Sequence, residues 1–168
     1  MKLLAVSALL CAAVALTGAF VLPEDDQQEL VDFLEQRGTC TGTWSEFNGR
    51  CFRYFPKAMP WADAELNCQS FGANLASIHN IEEYHEIQRL VLTNSYQTQL
   101  SWIGGFLAHD TETWLWSDGS RFVYQNWCEH EAEEAHEGPC VDINQGYGKC
   151  WGSATCTESL PFLCSKKM

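Results

Sequence analysis

Seven residues in one short stretch carry most of the ligating chemistry in this chain: Glu129, His130, Glu131, Glu133, Glu134, His136 and Glu137. Carboxylates at this density suit a hard cation such as calcium, which takes oxygen ligands, and Glu131, Glu133 and Glu137 would supply them. The two histidines would suit a softer metal. The opposing reading is a solvated acidic loop whose like charges repel, and the pattern alone leaves both open. A zinc-protease motif needs a second histidine one helical turn after His130, but Glu134 stands there and His136 comes too late. His79, His85 and His109 have no Ser, Cys or Asp at a catalytic spacing, so they read as structural or surface residues. No glycine-rich phosphate cradle follows an expected strand. The chain does not read as an enzyme.

The means of holding such a loop is legible in the cysteines. Met1-Lys2-Leu3-Leu4, an apolar run to Leu16 and Thr17-Gly18-Ala19 read as a signal peptide over 1–19, too short to span a bilayer. Cys11 belongs to it. Cys40, Cys51, Cys68, Cys128, Cys140, Cys150, Cys156 and Cys164 remain, and an even set behind an export leader reads as a disulfide framework in a secreted protein. Their spacing does not choose a pairing. The formal net charge of -12 repels phosphate backbones and anionic membranes, which argues against nucleic acid as a partner and against membrane insertion.

The elements that would position these residues follow from local pattern. Residues 20–39 form an acidic segment with a short apolar stripe at Leu30, Val31, Phe33 and Leu34, and 165–168 a tail. From Trp44 to Phe55 aromatic and polar residues alternate around Asn48-Gly49, a hairpin signal. A helix is expected from Pro60, at its first position, to Phe71, with Gly72 as its cap. A second opens at Asn80 with Glu83 three residues on, burying Ile81, Tyr84, Ile87, Leu90 and Val91. Short aromatic strands follow around Trp102, Trp114-Leu115-Trp116, Val141-Asp142-Ile143 and Phe162-Leu163. Two helices, then strands without βαβ alternation, indicate one α+β domain over 40–164.

Those motifs, taken in order, resemble a C-type lectin-like domain of the long form. The features that carry the likeness are the Cys40/Cys51 hairpin, Leu75-Ala76-Ser77-Ile78, Trp102-Ile103-Gly104-Gly105, Trp116-Ser117-Asp118-Gly119, Asn126-Trp127 and Phe162-Leu163-Cys164. The resemblance implies two helices with two small antiparallel sheets, a long irregular loop and four disulfides: Cys40–Cys51, Cys68–Cys164, Cys140–Cys156 and, for the remaining pair, Cys128–Cys150. That last pair is similar to type II antifreeze proteins and related secreted lectins of bony fishes. The antifreeze proteins commonly carry a fifth bridge, whose place here is taken by Pro139.

In family members that bind sugar through calcium, a Glu-Pro-Asn or Gln-Pro-Asp triplet in the loop and a Trp-Asn-Asp triplet on a strand hold the ion. Here the two places read Glu131-Ala132-Glu133 and Trp151-Gly152-Ser153. Ala132 removes the proline, Gly152 has no side-chain oxygen, and Ser153 has only a neutral hydroxyl, so calcium is disfavoured. Glu131, Glu133, Glu137 and Ser153 are the ligand-binding candidates, the three glutamates also for any metal. The implied function is a secreted, soluble, defence-type recognition protein for carbohydrate or microbial surface glycans. The alternatives are ice binding, which the absent fifth bridge and the acidic loop disfavour, and a calcium-independent protein ligand.

Overall fold

The opening hairpin forms because Asn48 and Gly49 both adopt left-handed backbone (φ 49° and 73°), the pair of angles a two-residue turn between twisted strands needs. In the computed structural model, which describes residues 40–129 and 138–168, this turn joins β1 (Ser45–Phe47) to β2 (Arg50–Met59). The expected signal peptide, the acidic segment 20–39 and Glu131, Glu133 and Glu137 lie outside the described residues.

Helix α1 spans Trp61–Gln69, and Pro60 stands one place earlier than expected, as an extended N-cap (φ -57°, ψ 152°). The helix also stops two residues short of Phe71, because Ala73 N–H turns back to the carbonyl of Cys68 through Gly72 at φ 65°. β3 (Asn74–Leu75) follows, then α2 (Ile81–Ser95). Asn80 Oδ1 accepts the Glu83 N–H at 2.8 Å, and Glu83 Oε2 accepts the His79 N–H at 2.8 Å, an N-terminal box offset by one residue. Tyr84, Ile87, Leu90 and Val91 are buried as expected, but Ile81 is 40% exposed. The inward place in that first turn belongs to Glu83, which Arg50 draws into the domain.

The remaining strands are β4 (Ser101–Ala108), β5 (Thr113–Trp116), β6 (Cys140–Gln145), β7 (Cys150–Ala154) and β8 (Leu160–Lys167). The hydrogen-bonded path runs β1-β2-β8-β4-β6-β7, with β3 on β8 and β5 on β4. Two antiparallel groups are present, and one parallel bridge, Trp102 opposite Phe162, joins them into a mixed sheet. The cause is topological: β8 returns to pair with β2, which places β8 beside β4. Gly104 and Gly105 let β3 and β6 approach β4 closely, since a Cβ there would lie 2.5 Å from the Leu75 carbonyl oxygen and from Val141 Cγ2 respectively.

Trp151 is fully buried and central to the larger core. The rings of Tyr84, Trp116, Phe122, Tyr124 and Trp127 meet it edge-on at centroid distances of 5.6–6.2 Å. Such geometry suits the quadrupoles of aromatic pairs. Trp102 is equally buried and donates Nε1–H to the Met59 carbonyl at 3.1 Å. Trp114 and Trp127 are partly buried and pack against this core.

A polar cluster ties the hairpin to α2. Arg50 Nη1 donates to the Ser77 carbonyl (3.1 Å) and Glu83 Oε2 (3.0 Å), and Nη2 donates to the hydroxyls of Ser77 and Ser165 (2.8 Å each). Ser77 donates its hydroxyl hydrogen to Asp118 Oδ2 at 2.5 Å, so His79 Nε2, 3.1 Å from the same hydroxyl, is the donor there. Desolvation, then the Arg50 charge, lower the imidazole pKa below its ordinary 6.5, against the pull of Glu83 and Asp118. Burial pushes Asp118 up, but bonds from Ser120 and Ser77 and the Arg50 charge outweigh it and leave the carboxyl below 3.8.

Both shifts have the same sign for stability. The unfolded chain binds each proton more tightly than the folded one, so stability falls on acidification. The loss begins as pH drops through 6.5 for His79 and resumes below 3.8 for Asp118. Urea midpoints measured from pH 7.5 to 3 are expected to show the upper step, and His79→Gln is expected to remove it. An upper step unchanged in His79→Gln refutes the assignment.

Candidate functional site

The base of the long loop is built from both ends at once. On entry, Trp127 bridges to Trp151, the Cys128 N–H donates to the Trp151 carbonyl at 3.0 Å, and Trp151 N–H donates to Asn126 at 2.8 Å. Cys128–Cys150 then ties the loop to the start of β7, with Cα atoms 5.1 Å apart. On exit, Gly138 presses against β7 so closely that a Cβ would sit 2.2 Å from the Ala154 carbonyl atoms. The Pro139 carbonyl accepts from Leu107 N–H at 2.8 Å, and Cys140–Cys156 closes the second clamp. Cys40–Cys51 and Cys68–Cys164 complete four bridges. The described ends of the loop are thus each tied to the sheet by backbone contacts and a bridge.

Beside it lies the β6–β7 turn, held from below. Asn144 is 3% exposed in left-handed backbone (φ 71°), and its Nδ2 donates to the Gln99 carbonyl at 2.9 Å. Tyr84 Oη and Gln88 Nε2 (2.9 Å) both donate to the Lys149 carbonyl. Burial pushes the Tyr84 phenol far up, so it stays a donor at any physiological pH. At the tip Tyr147 projects fully into solvent. Sequence reasoning passed over this turn; its one signal was the Gly146-Tyr147-Gly148 run, where small residues leave a single large ring.

Where the resemblance puts strand ligands for a cation, β7 carries Gly152 and Ser153. Asp142 pairs with Gly152 across β6 and β7, and Val141 with Ser153. A Cβ on Gly152 would fall 2.4 Å from Gln145 Cγ and 2.9 Å from its Nε2. The glutamine thus fills the space a side chain at 152 would need, while its Nε2 donates to Asp142 Oδ2 at 3.3 Å. Ser153, a ligand candidate on sequence grounds, is fully buried and its hydroxyl does not reach solvent. Calcium wants six to eight oxygens, and neither Gly152 nor Ser153 as placed here fits that requirement. Among the described residues, no three His, Cys, Asp or Glu side chains converge to hold a metal ion. Among the same residues, no helix is long and apolar enough to cross a membrane.

Comparison with known proteins agrees with this architecture. The model of the lectin C-type domain matches residues 57–166. Ladderlectin of Oncorhynchus mykiss is 40% identical, over 96% of this chain and 92% of its own length. A type-2 ice-structuring protein of Osmerus mordax is 35% identical, over 94% and 89%. The structure of herring type II antifreeze protein superposes with a TM-score of 0.70 at 36% identity, covering 77% of this chain and 99% of that one. With a fold, a set of bridges and a domain match that all coincide, the chain belongs to the C-type lectin domain family.

Proposed function

We propose that this protein is a secreted, soluble recognition protein that binds carbohydrate, such as glycans on a microbial surface, at the clamped loop and without a calcium bridge. The observation that supports the reading is the side chain of Gln145, which fills the space beside Gly152 where the resemblance puts an ion ligand. Without an ion, sugar hydroxyls are held by direct hydrogen bonds. The carboxylates of Glu131, Glu133 and Glu137 are the acceptors proposed for them, and the Tyr147 ring is an exposed apolar face on which a pyranose can stack. The function is binding, with no catalytic group assigned.

A glycan array run with calcium and again with chelator tests this directly. Glycan retention is expected to survive chelator, and calorimetry is expected to find no calcium binding tighter than about millimolar. Elution by chelator overturns the calcium-free reading. Absence of any glycan signal, together with thermal hysteresis and shaped ice crystals, replaces it with the ice-binding alternative that the Osmerus mordax relative brings into view.

A further inference from the structure

A second concave surface lies on the β1–β2–β8 side of the sheet, whereas the loop base sits at the β6–β7 edge. It is a groove of about 710 Å³ lined by Arg50, His79, Asp118, Ser120, Lys166 and Lys167. That volume falls within the ~300–1,000 Å³ typical of ligand sites. Arg50 and Ser165, both in its lining, are joined to each other and to Ser77 by hydrogen bonds of 2.8 Å. Gly49, Gly72 and Gly119 also line it, and no heavy atom stands within 4 Å of where a Cβ would be, so the walls there are bare backbone facing open space.

Charge distinguishes this groove from the rest of the surface. The chain has 10 Lys+Arg and a net charge of -12, yet Arg50, Lys166 and Lys167 all line this one cavity. Asp118, the carboxylate among them, has one oxygen taken by Ser77 and the other by the N–H and hydroxyl of Ser120. Arg50 shares its charge with Glu83 at 3.0 Å and with Asp118 at 4.0 Å, and Lys167 stands opposite it across the β2–β8 pair as the second cation. Side chains alternate along β8, so Lys167 shares the face of Ser165 and Arg50, while the Lys166 ammonium lies on the other face, 4.7 Å from the Trp44 ring centroid and 3.4 Å from the Phe71 carbonyl. A long polyanion would meet the acidic remainder of the surface. A compact anion would not.

We propose that this groove binds an oxyanion (sulfate, phosphate or carboxylate), either carried on a small saccharide or free in solution, with Lys167 supplying the charge beside Arg50. The site goes beyond the loop reading and does not depend on it.

Amide shifts of the isotope-labelled full chain at low ionic strength test the proposal, with inorganic sulfate, inorganic phosphate, a sulfated disaccharide and its unsulfated form as probes. The sulfated sugar is expected to move Gly49, Gly72, Gly119, Ser120, Lys166 and Lys167, and the unsulfated sugar to leave them still. Shifts with the inorganic ions alone support the site and identify the free anion as its ligand. Lys167→Gln is expected to bind about tenfold or more weakly, the scale of losing a charged hydrogen bond. Lys57→Gln, which removes a cation from exposed β2 outside the groove, is expected to bind as the parent does. Matching melting temperatures confirm that both variants are folded. Absence of shifts with every anion, shifts confined to other residues, or equal affinity of the two variants overturns the proposal. A neutral glycan that fails to bind the loop end would leave all of these readings unchanged.

Discussion

Replacing Cys68 and Cys164 together with alanine is expected to lower the unfolding free energy by about 4–5 kcal/mol, the largest loss from any one bridge. The two cysteines are 96 residues apart, and the freedom a cross-link removes from the unfolded chain grows with the loop it closes. Both are also fully buried, within the core cluster that contains Leu75, Trp102 and Phe162, so the lost sulfur atoms leave a packing defect as well. The Cys40–Cys51 bridge spans only 11 residues, and its removal is expected to cost about 3 kcal/mol or less. Urea denaturation of the two double variants side by side checks the ordering. Equal losses would mean that native-state strain or residual unfolded structure, rather than loop length, sets the value of each bridge.

Arg50→Ala is expected to destabilise by about 3–5 kcal/mol, because it strips the cationic partner from a carboxylate that cannot rejoin water. The side chains of Arg50 and Glu83 are 13% and 5% exposed, and their oxygen and nitrogen atoms stand 3.0 Å apart. Removing the guanidinium also breaks its bonds to Ser77 and Ser165, which join β2, the segment before α2 and β8. Glu83 would keep only the His79 N–H as a strong donor. The paired replacement Arg50→Met/Glu83→Leu is expected to lose much less, since it takes the unpaired charge away along with the bond. A double-mutant cycle by equilibrium denaturation measures the coupling. A near-zero coupling energy would show that water enters and solvates Glu83 once Arg50 is gone.

These two sites also show where sequence is informative. The Asn48-Gly49 turn and the Asn80 cap are written in neighbouring residues, because a left-handed pair and a side chain accepting an N–H three residues on are local events. The resemblance of ordered motifs likewise implies the bridges, which pair in the structure as that resemblance has them. Arg50 and Glu83 are 33 residues apart, and no periodicity announces that one will reach the other. Ile81 misleads for the same reason: its spacing fits the buried stripe, but a long-range ion pair claims the inward position of that turn. Likewise the single Trp102–Phe162 bridge that merges two sheets depends on where β8 comes to rest, a non-local outcome.

The loop base divides in the same way. That Gly152 lacks an oxygen is plain from its identity. That Gln145 lies over it is a matter of cross-strand geometry, since Gln145 pairs with Cys150 past an irregularity in the β6–β7 register. Ser153 looks usable as a ligand in the sequence, yet it pairs with Val141 in a strand whose residues from Trp151 to Ala154 are all buried.

The pairing of β2 with β8 also bears on how the molecule could be rewired. Cys51 faces Lys166 across that pair, and Cys40 is bonded to Cys51 with 5.5 Å between their Cα atoms. A bridging peptide of a few residues, each spanning about 3.3 Å when extended, would therefore connect position 166 back to position 40. The polypeptide could then be cut at the exposed β4–β5 turn near Asp110 without interrupting any of the four bridges. Circular permutants of that design would keep the same sheet while moving the free ends to a new face.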